Sequence, residues 1–201
     1  MPLLSIHSVT EDVTVALWRV TETLEDFQAL FPRFPFAEEE VETHHPCGAR
    51  LLERYAVHAL FRAVTNREET ITHLPSGKPV VSKGHISVTH TKGYAAVIYS
   101  PSLEVAIDIE HISDRINRVA DRFLREDERL SGTLPRLVAW CAKETAFKYY
   151  SSDNLLFSDM RVDSFKLMDG CCQVENLERG CSLPVRFHIT EDFVLAYGYQ
   201  R

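Results

Sequence analysis

No apolar run in this 201-residue chain approaches the ~20 residues that span a bilayer. The longest, such as Tyr94-Ala95-Ala96-Val97-Ile98-Tyr99, have the length of a strand. Basic excess is also missing. Lys and Arg number 22 against 29 Asp and Glu, a net charge of −7, which argues against a generally basic binder of nucleic acid or of a membrane surface. A local basic pocket stays compatible with that balance. No C-x-x-C spacing occurs. The five cysteines (Cys47, Cys141, Cys171, Cys172 and Cys181) are odd in number and two are adjacent, so neither a disulfide framework nor a zinc ribbon follows. His44-His45-Pro46-Cys47 has metal-binding residue types but reads more simply as a solvated loop with a free thiol. The first seven residues lack a positive stretch and a long apolar core, so no signal peptide is read and a cytoplasmic protein is expected. With 45% hydrophobic and 25% charged residues, the composition is that of one globular domain or two small ones, not of a disordered or fibrous chain.

Periodicity places the elements. Val13, Val15 and Leu17 alternate with Thr14, Ala16 and Trp18, predicting a strand over 13–20, and Leu51, Leu52, Tyr55, Ala59 and Leu60 fall at helical spacing within 48–64. Pro75-Ser76-Gly77-Lys78-Pro79 is a turn. Strands over 86–91 and 94–100 meet at a Lys92-Gly93 hairpin turn, and a further short strand covers 105–110. Helices are predicted over 117–129 and 134–150, then mostly strands from residue 160 onward. Residues 88–99 and 187–198 share a pattern of strand, polar turn, aromatic residue and apolar strand, each downstream of a long amphipathic helix. Two hairpins can resemble each other by chance. Read as a duplication, the echo predicts an α+β fold of two similar halves, 1–100 and 101–201, related by pseudo-twofold symmetry, with the active site in the cleft between them.

Four short segments carry candidate chemistry. In Ala106-Ile107-Asp108-Ile109-Glu110 the two carboxylates sit at i and i+2 of a strand and therefore share a face, where mutual repulsion favours a divalent cation between them. A solvated acidic strand end would show the same pattern. In Trp140-Cys141-Ala142-Lys143-Glu144-Thr145-Ala146-Phe147-Lys148, Trp140, Glu144 and Lys148 share one helix face. The glutamate could complete a metal site and the lysine could meet a phosphate, although Glu–Lys at i,i+4 is also a common surface pair. Ile86-Ser87-Val88-Thr89-His90-Thr91 puts His90 on one face with Ile86 and Val88, as a core residue or a hydrogen-bond donor to a phosphate. Gly77-Lys78-Pro79 is a turn with a lysine at its tip.

Taken in order, these four segments resemble the successive motifs of the 4'-phosphopantetheinyl transferase superfamily, over residues 77–148. Chain length and the pseudo-repeat resemble its surfactin-synthetase-activating type, a monomer of two halves. The resemblance implies transfer of 4'-phosphopantetheine from coenzyme A to a serine of an apo acyl, peptidyl or polyketide carrier protein, with Mg²⁺ and with release of adenosine 3',5'-bisphosphate. Nucleic acid and membrane have no part in that reaction. By the same resemblance Asp108, Glu110 and Glu144 are the Mg²⁺ ligands, and Glu144 is the general base. Lys143, Lys148 and His90 are phosphate contacts, with Glu144, Lys148 and His90 the catalytic set. Arg54 and Lys78 hold the adenosine bisphosphate end of coenzyme A, and Trp140 positions its helix. Ser87 and Ala106 depart from the family's usual Asn and Gly. The residues before the first long helix include an acidic run, Glu38 to Glu42, with Arg33, His44, His45 and Arg50 as the nearby bases.

The same carboxylates would also serve another Mg²⁺-dependent phosphoester enzyme acting on a nucleotide, and the fold could survive as a non-catalytic carrier-binding module. Arg115, Arg118, Arg122 and Arg125 recur at three- and four-residue spacing, either as a docking stripe for an acidic carrier helix or as a solvated face paired with Glu126 and Asp127.

Overall fold

The structure is a computed structural model and describes residues 3–31 and 48–200. The acidic run Glu38 to Glu42, Arg33 and the His44-His45-Pro46-Cys47 stretch lie outside the described residues. The chain divides into two compact units that adjoin in sequence at Pro101 and Ser102. The architecture is mixed α+β.

In the first unit, strands β1 (Leu3–Ser8), β2 (Thr14–Arg19), β5 (His85–Thr91) and β6 (Tyr94–Ser100) form an antiparallel sheet in the order β1-β2-β6-β5. Helix α1 (Leu24–Leu30) and helix α2 (Gly48–Thr65) lie between β2 and a two-stranded ribbon of β3 (Thr72–His73) and β4 (Pro79–Val80). Of the apolar stripe predicted from spacing, Tyr55, Ala59 and Leu60 of α2 close a core with Trp18, Ile86, Ala95 and Val97 of the sheet, joined by Ala56, while Leu51 and Leu52 pack against it half-buried. Sequence periodicity misses α1 because seven residues give too few apolar positions to repeat. A capping box fixes its start. The Asp26 backbone N–H donates to Thr23 Oγ1 (3.2 Å), and the Thr23 N–H donates to Asp26 Oδ2 (2.9 Å). Phe27 then stacks on Tyr55 of α2 at 5.5 Å between ring centres.

The second unit is an antiparallel sheet in the order β7-β11-β10-β9-β8, with β7 (Val105–His111), β8 (Met160–Val162), β9 (Cys171–Asn176), β10 (Cys181–Ile189) and β11 (Phe193–Tyr199). Helix α3 (Arg115–Val119) follows β7, and helix α4 (Thr133–Tyr149) precedes β8. Leu137, Val138, Cys141, Ala142 and Ala146 of α4 pack in one core with Leu183, Val185, Val194 and Ala196 of β10 and β11. The connectivity of the first unit recurs here. A strand leads through a long helix to a hairpin, and the strand pairs with the hairpin's second member: β2 with β6, and β7 with β11.

One predicted element is corrected. The helix expected over 117–129 is a five-residue helix, α3, and a single 3₁₀ turn over Ala120–Arg122. Beyond it the chain wraps around a buried carboxylate. Glu128 accepts from the Arg125 backbone N–H at 2.7 Å and from the Val162 N–H at 2.5 Å, so a side chain does the work of helical carbonyls.

Two glycines separate a purely conformational requirement from a steric one. Gly93, in the β5–β6 turn, has φ +76° and nothing near a would-be Cβ, whereas Gly84 has φ +85° and would set a Cβ 2.5 Å from the Ser100 carbonyl oxygen. Gly93→Ala should therefore cost about 1 kcal/mol and Gly84→Ala about 2–4 kcal/mol. Urea midpoints measure both, and equal losses would show that no close approach exists at Gly84.

Candidate active site

The pairing of β7 with β11 sets Asp108 opposite Ala196 and Glu110 opposite Val194. Directly opposed residues project from the same face of a sheet, and Val194 and Ala196 belong to the core closed by α4. Asp108 and Glu110 therefore face α4. On α4, residues 140, 144 and 148 form one ridge, each a turn beyond the last. The two periods interlock. Lys148 Nζ donates to Asp108 Oδ1 at 2.7 Å and to the Ile107 carbonyl at 2.9 Å. One end of the ridge is thus pinned to β7. At the other, Trp140 Nε1 donates to Glu110 Oε1 at 3.3 Å. Glu144 lies between these two pins on the ridge.

Electrostatics reflects the crowding. Burial, reinforced by the nearby negative charge of Asp108 and Glu110 and opposed by Lys148, lifts the Glu144 carboxyl from 4.5 to about 7. Burial and then Asp108 raise Glu110, with the Trp140 hydrogen bond, Lys148 and Arg115 acting against the rise. The Cys141 thiol, fully buried beneath the carboxylates, is pushed well up by burial and then by Asp108 and Glu110, so it is protonated and no nucleophile. Beside Glu110 a cavity of about 500 Å³ is lined by Ile116, Leu137, Trp140 and Phe157, with Arg115 and Arg122 also on its wall.

The other expected residues fall elsewhere. Lys143 is corrected. It is fully buried, with Nζ 2.7 Å from Glu128 Oε2, and also donates to the carbonyls of Phe123 (2.8 Å) and Phe157 (3.3 Å), so its three protons are spent inside the protein. A phosphate has no approach to it. His90 lies on the face predicted for it, but at the exposed end of β5, with Nδ1 3.0 Å from Glu53 Oε2 of α2. Arg54 is partly buried on α2 beside His58, whose imidazole is held down to about 4 by burial, then by Arg54 and His73. Lys78 is partly exposed in the β3–β4 turn, where its carbonyl accepts from the Leu74 N–H at 2.9 Å. Arg54, Lys78 and His90 belong to the first unit, and the carboxylate–lysine seam is built wholly within the second.

Two features escaped sequence reasoning. Glu128 sits in a run of charged residues that reads as solvated, and nothing in that spacing marks it as buried. The rings of Phe123 and Phe157, each 5.1 Å from that of Trp140, flank it edge-on and face-on across long sequence separations.

Three carboxylates with no nitrogen or sulfur donor make a set suited to a hard divalent cation, and the rise that Asp108 imposes on both glutamates is what such a cation would relieve. In the arrangement described, Lys148 occupies Asp108. Among the described residues no three His, Cys, Asp or Glu side chains form a group that could hold a metal ion as they stand. No helix among the described residues is long and apolar enough to cross a membrane.

A family model for the 4'-phosphopantetheinyl transferase superfamily matches residues 104–197, the stretch that contains β7, α3, α4, β8, β9, β10 and most of β11. No curated protein matches the chain.

The Glu144 carboxyl gives a pH dependence of known sign. Its pKa is raised on folding, so the folded form binds the proton more tightly, and stability falls as pH rises from about 4.5 to about 7 and then levels off. Glu144→Gln should abolish that loss, stabilising the metal-free protein by about 1–3 kcal/mol near pH 8 and scarcely at all near pH 4.5. Thermal melts at the two pH values measure it; an equal effect at both would mean that Glu144 ionises as freely as in the unfolded chain.

Proposed function

We propose that the protein transfers 4'-phosphopantetheine from coenzyme A to the serine hydroxyl of an apo acyl, peptidyl or polyketide carrier protein, as a monomer of the surfactin-synthetase-activating type. One observation carries this reading: the seam of Asp108, Glu110, Glu144 and Lys148 lies within the very residues that match the family model. The serine oxygen forms a bond to the β-phosphorus, the bond from that phosphorus to the bridging pyrophosphate oxygen breaks, and adenosine 3',5'-bisphosphate leaves with that electron pair.

Such a transfer asks a protein mainly for alignment and charge neutralisation. Asp108, Glu110 and Glu144 are the residues that would hold Mg²⁺, which would supply positive charge to the pyrophosphate oxygens. Glu144 takes the serine proton. Its pKa of about 7 belongs to the metal-free protein, where burial and then Asp108 raise it; a bound cation would lower it and leave the carboxylate ionised to accept the proton. Lys148 directs two N–H groups to Asp108 and Ile107, and its third meets a phosphate oxygen. Trp140 fixes Glu110 through the indole N–H. By resemblance to the family's motifs, Arg54 and Lys78 are assigned to the adenosine bisphosphate end of coenzyme A and His90 to a phosphate.

Intact mass spectrometry of an apo carrier protein incubated with the protein, coenzyme A and Mg²⁺ tests the proposal. The expected result is a gain of one phosphopantetheine, abolished by EDTA and slowed about 10²–10⁴-fold by Glu144→Gln. No gain with fatty-acid, peptidyl or polyketide carriers, while coenzyme A still binds, would mean a non-catalytic module. Cleavage of a nucleotide phosphoester without any carrier would mean a different phosphoester enzyme.

A further inference from the structure

Lys143 is adjacent in sequence to Glu144 yet turns away from the seam into the core, and its three acceptors come from three separate stretches of chain. They are the Phe123 carbonyl after the 3₁₀ turn, Glu128 in the loop that follows, and the Phe157 carbonyl before β8. Glu128 extends the network through its other oxygen to the Val162 N–H of β8. The two phenylalanines whose backbones Lys143 grips are those whose rings flank Trp140, Phe123 edge-on (76°) and Phe157 stacked (28°). Trp140 in turn donates to Glu110. An unbroken series of contacts therefore joins a buried ion pair to a carboxylate of the seam: Lys143 to the Phe123 and Phe157 carbonyls, their rings to Trp140, and the indole to Glu110.

We propose that Lys143 and Glu128 are a positioning pair, which clamps Phe123 and Phe157 on either side of Trp140 and so holds Glu110 in the seam and shapes the adjoining cavity, without touching substrate. A buried ammonium is costly to keep unless its hydrogen bonds are filled, and here all three are, by groups that would otherwise be separate loops. Packing alone could seat two phenylalanines. A charged tether does more, because it fixes the backbone from which each ring projects. The catalytic part of this inference rests on the transferase reading; the structural part does not.

The test uses the full chain with Trp18→Phe. The sequence has two tryptophans, so Trp140 is then the sole indole emitter. Replacing the pair together, Lys143→Met with Glu128→Gln, removes both charges and leaves neither ion buried without its counter-charge. Trp140 emission should shift to longer wavelength, and carrier modification should slow about 10–100-fold, with the calorimetric Kd for coenzyme A unchanged within about twofold. Phe157→Ala, which leaves the pair intact, should reproduce the emission shift and slow modification in the same way, and it carries the test if the double variant does not fold. A weakened Kd for coenzyme A in the double variant would overturn the proposal, since Lys143 would then be meeting the nucleotide. Unchanged emission in either folded variant would also overturn it. Were the unaltered protein to modify no carrier, the transferase reading would fall, while the emission shift would still decide whether the pair positions Trp140.

Discussion

Setting Asp108 and Glu110 on the face of β7 that meets Glu144 of α4 brings like charges together in a seam that water only partly reaches, and such a seam stays closed only if some positive charge enters it. Lys148 is the side chain that does so, bound to Asp108 and to the Ile107 carbonyl. Removing one partner from a fully buried pair costs about 3–5 kcal/mol, because the other charge is left unmatched, and the 29% exposure of Lys148 lowers that cost here. The helix register follows from this bond. With Lys148 held at Asp108, the residues one and two turns earlier, Glu144 and Trp140, must lie along the same ridge, and Trp140 reaches Glu110. The seam is nevertheless not neutral. Glu144 resolves the excess by keeping a proton up to about pH 7, and a divalent cation would resolve it differently, by replacing that proton.

Those seam residues were readable because their contacts come from the two shortest periods in protein structure. Asp108 and Glu110 are two apart on a strand; Trp140, Glu144 and Lys148 are four apart on a helix. The larger elements were readable for the same reason: α2 and α4 from apolar spacing, β2, β5, β6 and β7 from alternation or apolar runs. Contacts across longer separations left no such signature. The run from Arg125 to Glu128 is charged at every position and continues a helical pattern, yet Glu128 is drawn inward by Lys143, fifteen residues on, and the helix ends early. β1 is an edge strand with an exposed middle, so alternation in burial, which marks its neighbour β2, has little to act on there.

Lys143 and Lys148 show how little residue type says about role. They are five apart on one helix, in a motif where both resemble phosphate contacts, and 500° of helical rotation separates their faces by about 140°. That rotation is enough. Lys148 keeps 29% of its side chain exposed beside the carboxylates, whereas Lys143 keeps none and spends its donors on protein oxygens. Burial pulls the Lys143 ammonium pKa down; Glu128, and after it Asp127, act against that fall, while Arg125 adds to it. The helix thus carries a cation on each of two sides. Lys148 faces the carboxylates and Lys143 faces the scaffold, where the proposed relay runs through Phe123, Phe157 and Trp140 to Glu110.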